Sequence, residues 1–256
     1  MKLTILGSGG ALYNLKRGFP GYYLEIGNDK VLLDAGPGTL TKLAKAKIDY
    51  FDLTHILISH THADHLSDLM PILINIYLKT LSAYGGKEKI KPLIIFGPPG
   101  FKKTYHQLKE MMFPEKESFK IEIRELKNSR LKFKNWQLES VITRHVPYWK
   151  SISVKFTESN TSFVYSGDSA FCPELIKLSQ NAENLLFDCS ALISNEFPQS
   201  HLNPQFAAEI ANLSGAKKLI LSHLYDLDEL AEIKKEVAKV FKGEIHLARD
   251  LEKYIL

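Results

Sequence analysis

The chemistry of this chain is concentrated in Ser59-His60-Thr61-His62-Ala63-Asp64-His65, where three imidazoles and a carboxylate crowd together. The stretch follows an apolar run, His55 to Ile58, that reads as a buried strand. With the backbone still extended through Thr61, His60 and His62 share a face. Two neutral imidazole nitrogens can then reach one cation at about 2.0–2.1 Å, the zinc–nitrogen distance. Asp64 and His65 are adjacent and point the same way only if the chain turns, so they are better placed to hold a second ion beside the first. A His-rich loop that binds nothing is the plain alternative, and this spacing argues against it.

Other reactive residues stand where strand-like segments end. Gln137 to Thr143 delivers Arg144 and His145, Thr161 to Ser166 ends in Gly167-Asp168, and Lys217 to Ser222 ends in His223. Strand ends converging on one rim are how an open sheet assembles a site. Tyr22 to Ile26 and Lys30 to Asp34 bracket Gly27-Asn28-Asp29 as a hairpin. Asp34 then either backs a metal-bound imidazole or caps a helix over Thr39 to Lys45. Leu66 to Leu81 has helical spacing and runs back from the rim, and a final helix is expected over Leu227 to Phe241. Asn203 and Pro204 read as the N-cap and first residue of a helix through Leu213. Gly7-Ser8-Gly9-Gly10 can bring backbone N–H groups to an anion, although a tight turn is its plainer use. Ala83 to Lys91 is a Gly- and Lys-rich loop. Lys116 to Lys134 mixes basic and acidic residues, as a solvated edge does, or as a phosphate-backbone track would. Tyr148 and Trp149, just after His145, could stack a base or serve as rim aromatics.

Composition narrows the class. The 256 residues contain no Gly/Pro/Ser-rich linker and no short repeat, so 1–256 reads as one domain. A hydrophobic content of 45% supports a substantial core and excludes a disordered chain. The formal charge of +4 and pI near 8.8 are compatible with an anionic substrate without requiring one. Cys172 and Cys189 are too few for a disulfide framework, so a reduced, cytoplasmic setting is expected. No apolar stretch nears the roughly 18 residues of a membrane span, and the N-terminal run is too short for a signal-peptide core. No membrane partner is expected, and a homo-oligomer is left open.

His60-x-His62-x-Asp64-His65, followed in order by His145, Asp168 and His223, resembles the metal motifs of the metallo-β-lactamase superfamily of hydrolases. Leu32-Leu33-Asp34-Ala35-Gly36 and Tyr165-Ser166-Gly167-Asp168 resemble its strand-end segments, and the likeness runs from Leu3 to about His223. The resemblance implies an α/β fold, a four-layer αβ/βα sandwich with the site at one edge of two facing sheets. It implies two divalent ions per chain, one on His60, His62 and His145, the other on Asp64, His65 and His223, with Asp168 bridging. Zinc suits so imidazole-rich a set, with manganese or iron as alternatives. The nucleophile would be a metal-bridging hydroxide, and the positive centre would favour an anionic ester.

Within that superfamily, His201-x(3)-Gln205-x-Ala207-Ala208-Glu209 with His223 downstream resembles the ribonuclease Z branch, whose equivalent histidine assists phosphodiester cleavage. His201 is therefore the candidate acid for the leaving oxygen, beside Asp64 as the second catalytic candidate. A mere helix-start residue is the plain reading of His201. Ribonuclease Z commonly carries a long Gly/Pro-rich arm that clamps transfer RNA. In one large group it lies between the third histidine and the bridging aspartate, whereas here 22 residues separate His145 from Asp168. Tyr165 stands three residues before Asp168, where that branch usually has a glutamate paired to its helper histidine. The expectation is thus a dinuclear metal phosphodiesterase acting on a small or accessible diester, a cyclic nucleotide or short nucleic acid. Alternatives are a ribonuclease Z-type tRNA 3′-endonuclease, a hydrolase of lactones, sulfate esters or phosphonates, and a non-catalytic metal-binding module.

Overall fold

The computed structural model describes residues 1–84, 90–116, 118–190, 200–225 and 230–256. The first half supplies β1 (Lys2–Gly7), β2 (Gly21–Ile26), β3 (Asp29–Leu33), β4 (His55–Leu57), β5 (Leu93–Gly97) and β6 (Ile121–Glu125). The second supplies β7 (Ser129–Lys132), β8 (Gln137–Thr143), β9 (Ser151–Glu158), β10 (Thr161–Tyr165), β11 (Asn184–Asp188), β12 (Lys218–Ser222) and β13 (Glu244–Leu247). A last strand, β14 (Lys253–Ile255), returns to β1, giving one sheet ordered β14-β1-β2-β3-β4-β5-β6 and a second ordered β13-β12-β11-β10-β9-β8-β7. The helices are α1 (Thr39–Lys45), α2 (Ala63–Leu66), α3 (Leu69–Thr80), α4 (Phe101–Met112), α5 (Pro173–Ser179), α6 (Pro204–Ser214) and α7 (Leu230–Val240).

Side-chain alternation along the strands builds the layers. Val31 and Leu33 of β3, Phe96 of β5, Leu186 of β11 and Ile220 of β12 point into one core between the sheets. Their neighbours Leu32 and Ile95 pack outward with Leu43 of α1, Leu73 of α3 and Phe101 of α4. Leu185, Phe187, Leu219 and Leu221 pack outward with Leu175 of α5, Ile210 of α6 and Val237 of α7. Strands buried on both faces need no polar alternation, which is why β4, β11 and β12 read as unbroken apolar runs. The result is a four-layer αβ/βα sandwich. β3 to β6 run parallel, as do β10 to β13, so the residues that follow β3, β4, β10 and β12 emerge on a common rim.

Some expectations are refined. The helix expected over Leu66 to Leu81 begins earlier, at Ala63, and breaks before Leu69. The break is held by Asp68, whose N–H donates to Ala35 O and whose carboxylate accepts Leu40 N–H at 2.9 Å. The stretch Lys116 to Lys134 supplies β6 and β7, the outer strands of two different sheets. Asn203 caps α6, accepting Phe206 N–H at 2.7 Å. Residues 85–89 of the expected loop and 227–229 of the expected last helix lie outside the described residues. Among the described residues no helix is long and apolar enough to cross a membrane.

Candidate metal centre

The seven residues singled out by type and spacing meet at the rim in two groups that share Asp168: His60, His62, His145 and Asp168, and Asp64, His65, Asp168 and His223. The loop after β4 carries His60 and His62 and then turns into α2, which aims Asp64 and His65 at the second group. The two sheets are tied at this point, since Ile152 N–H donates to Ser59 O at 3.0 Å. Close approach is enforced by Gly36, where a Cβ would stand 2.0 Å from Asp64 O. The backbone at Asp34 and His223 is left-handed, with φ of 55° and 61°. Such conformations in residues other than glycine cluster at functional sites.

The donor atoms converge closely. His60 Nε2 lies 2.9 Å from His62 Nδ1, and His145 Nε2 lies 3.2 Å from the same atom. His65 Nε2 and His223 Nε2 are 3.2 Å apart, and each lies 3.3 Å from Asp64 Oδ2. Asp168 sends Oδ1 to within 3.3 Å of His65 Nε2, while Oδ2 lies 3.4 Å from His223 and 3.7 Å from His60. Two nitrogens on a tetrahedral ion at about 2.0–2.1 Å stand roughly 3.3 Å apart, so these spacings fit a shared cation.

Hydrogen bonds behind the imidazoles fix which nitrogen faces inward. Asp34 is fully buried and accepts from Ser59 N–H at 2.6 Å, Ser59 Oγ at 2.8 Å, His65 Nδ1 at 2.7 Å and the Tyr165 hydroxyl. Because the Ser59 hydroxyl proton goes to Asp34, its oxygen accepts from His60 Nδ1 at 3.1 Å. His145 Nδ1 donates to Ser200 O at 2.8 Å. His60, His65 and His145 therefore all present Nε2 to the centre, the arrangement metal-ligating histidines adopt. Asp34 thus backs His65 rather than capping α1, whose N-cap is Gly38.

Electrostatics point the same way. Burial pushes His60 and His145 down, and His62 down to about 4, which keeps them neutral and able to donate a lone pair. Burial pushes the Asp64 carboxyl up, but bonds from His223 and His65 overcome it and hold it ionised. Burial likewise opposes ionisation of Asp168, yet His223 and His65 depress it well below the carboxylate range. His65 is disfavoured as a cation by burial, and Asp168 and Asp34 reverse that strongly. These carboxylates call for positive charge between them. The residues fit a divalent cation, and the His and Asp clusters are built to bind one.

His201, just before α6, lies beside the cluster, its ring centroid 4.8 Å from that of His145 and 5.6 Å from that of His223. Its Nδ1 bonds Asp188 Oδ2 at 2.7 Å. The acidic partner missing at Tyr165 is therefore supplied by Asp188, the last residue of β11. Asp188 went unnoticed in the sequence, although it ends an apolar strand run as Asp168 nearly does. Asp168, Asp188, His201 and His223 also lie close enough together to form a third group of potential ligands. Asp188 is already spent there: Oδ1 accepts from Ser190 N–H and Oγ at 2.9 and 2.6 Å, and Oδ2 accepts from His201. Burial pushes His201 down, but Asp188 more than reverses this and raises it to about 9. Trp149 is 47% exposed and sets its ring edge-on to His62 at 4.4 Å, whereas Tyr148 is 88% exposed.

The family model of anti-Pycsar protein Apyc1 matches residues 1–204. The probable metallo-hydrolase YhfI of Bacillus subtilis is 25% identical over 97% of this chain and 97% of its own length. Ribonuclease Z of Sulfolobus acidocaldarius is 26% identical over 94% of each chain. Among solved structures, YhfI superposes with a TM-score of 0.84 at 23% identity, covering 99% of both chains. Human tRNase Z, short form, superposes with a TM-score of 0.80 at 22% identity, covering 100% of this chain and 99% of that one.

Proposed function

The chain belongs to the anti-Pycsar protein Apyc1 family and is a metal-dependent hydrolase of the metallo-β-lactamase fold, and from this we propose that it cleaves small, accessible phosphodiesters such as cyclic nucleotides at a dinuclear centre. In this reading His60, His62 and His145 hold one ion, Asp64, His65 and His223 the other, and Asp168 both. Five imidazoles against two carboxylates favour zinc, with manganese or iron as alternatives. When bound, such ions make water acidic enough to attack at neutral pH and draw charge from the phosphoryl oxygens.

The observation that carries the reading is the His201–Asp188 pair. Its Nδ1 proton is engaged by Asp188, so Nε2, which bonds to none of the described residues, is free to hand a proton to a leaving oxygen. Asp34, through His65, and Ser200, through His145, keep the imidazoles from rotating as the substrate enters. Asp64 serves in the centre and through it in catalysis. Trp149 offers an exposed ring beside His62 on which a base can stack.

The proposed small substrate is supported by what stands between His145 and Asp168. Those residues are spent on β9 and β10, a tight hairpin around Ser159-Asn160, with no arm to embrace a folded RNA. The central core draws side chains from both halves, which supports a single domain, and the buried free thiols of Cys172 and Cys189 suit the cytoplasm. A panel of bis-p-nitrophenyl phosphate, 3′,5′-cyclic nucleotides, a lactone and a 3′-extended precursor transfer RNA tests the proposal. Turnover of the small diesters with the precursor left intact is expected. Trimming of the precursor with the small diesters inert would replace it with the ribonuclease Z reading, and turnover of the lactone alone would end the phosphodiester reading.

A further inference from the structure

The glycine-rich turn after β1 has a use that the metal centre does not absorb. Its Ser8 carbonyl accepts Leu224 N–H, next to His223 in the chain, and on its other side lies a cavity of about 240 Å³. Ser8, Lys16, Arg17, Leu230, Arg249 and Asp250 line it. The anion the turn itself binds is internal: Asp250 Oδ1 accepts Ser8 N–H at 3.0 Å and Ser8 Oγ at 2.8 Å, while Oδ2 accepts Gly18 N–H at 2.7 Å and the Lys42 ammonium. That carboxylate is fully subscribed.

Arg17 is not. It is only 5% exposed, its Nη1 donates to Ser8 Oγ at 2.7 Å and to Ala248 O, and its Nε is buried with no hydrogen-bond partner. Among the described residues no carboxylate contacts its guanidinium directly; Asp250 acts on it only at a distance, through the Ser8 hydroxyl, and Lys16 and Arg249, both exposed, make no ion pair. A buried cation with an unsatisfied N–H is costly unless an anion completes it. The guanidinium fork matches a tetrahedral oxyanion, with two further cations at the mouth to draw it in. The cavity exceeds the volume of a phosphate group, and Asp250, the acidic residue among its described lining, is already paired with Lys42.

We infer that this cavity is a phosphoryl-binding site, distinct from the metal centre and one turn away from His223. The phosphoryl group is either free phosphate or a second phosphate of the substrate. Calorimetric titration of inorganic phosphate into metal-loaded protein tests it, with Lys16→Ala/Arg249→Ala as the variant, because both side chains are on the surface and outside the catalytic machinery. The wild type should show a saturable phosphate event that the variant weakens roughly tenfold or more, the scale of lost charge-assisted contacts. Both proteins should hydrolyse bis-p-nitrophenyl phosphate alike. Kinetics then separate the sources. A raised KM for a 5′-phosphorylated dinucleotide, with bis-p-nitrophenyl phosphate unaffected, assigns the site to the substrate's own phosphate. An unchanged KM for both, with calorimetric binding lost, assigns it to free phosphate. Identical phosphate isotherms for wild type and variant would overturn the inference and leave Arg17 as a structural tie between Ser8 and Ala248.

Discussion

Replacing Asp188 with asparagine removes a negative charge 2.7 Å from His201 Nδ1 and leaves an acceptor of the same shape. Burial alone would drive His201 below its ordinary value of 6.5, and Asp188 is the main influence that lifts it to about 9. The acid works only when protonated, so its contribution is complete at low pH and is lost as pH rises through its pKa. At pH 8 an imidazole with a pKa of about 9 is roughly 90% protonated, while one returned to 6.5 is roughly 3% protonated. The rate through a His201-dependent step should therefore fall steeply at pH above the variant's pKa, about 30-fold at pH 8 on these values, and little at pH well below it. Bound cations would lower both values and move the contrast to lower pH, so the displacement between the two profiles, rather than the ratio at one pH, isolates the carboxylate. The assay is kcat against pH for both proteins, with metal content measured on the same samples. Superimposable profiles would refute the reasoning. So would a fall that is uniform in pH and tracks metal loss, because Asp188 Oδ1 also lies 3.7 Å from His223 Nδ1 and would then be acting through that residue.

Three further outcomes are expected. His201→Ala should retain both metals by elemental analysis while slowing diester turnover roughly 100-fold or more, the scale of a lost general acid; loss of metal would reassign the residue. Asp34→Ala strips the partner from His65 and leaves its Nδ1 buried without an acceptor, so metal affinity measured by competition with a chelator should drop about 10- to 100-fold. Trp149→Ala should raise KM for a cyclic nucleotide at least about fivefold, from a stacking contribution of roughly 1–3 kcal/mol. It should leave KM for bis-p-nitrophenyl phosphate nearly unchanged, and equal effects on the two substrates would exclude stacking.

What was legible in the sequence was whatever is local along the chain. His60, His62, Asp64 and His65 lie within one turn-forming stretch, so their joint orientation follows from strand and turn geometry alone. His145, Asp168 and His223 could be picked out because each follows an apolar run, and parallel strands place such ends on one rim. The Asp188–His201 pair was not legible in this way, because the two residues leave different elements and meet only once β11 and α6 pack. Tyr165 was misleading for a related reason. Its hydroxyl serves Asp34 across the gap between the sheets, a contact over 131 positions that no local pattern encodes. The orphaned Nε of Arg17 is likewise visible only after Ala248 and Ser8 have been brought to it from opposite ends of the chain.

The account rests on two ions gripped around Asp168, and the most direct measurement is metal content per chain set against diester hydrolysis, for wild type and Asp168→Ala. Two ions per wild-type chain are expected, with occupancy and activity falling together in the variant and wild-type activity lost on chelation. Undiminished hydrolysis by metal-free wild-type protein, or a variant that keeps both ions and full activity, would contradict it.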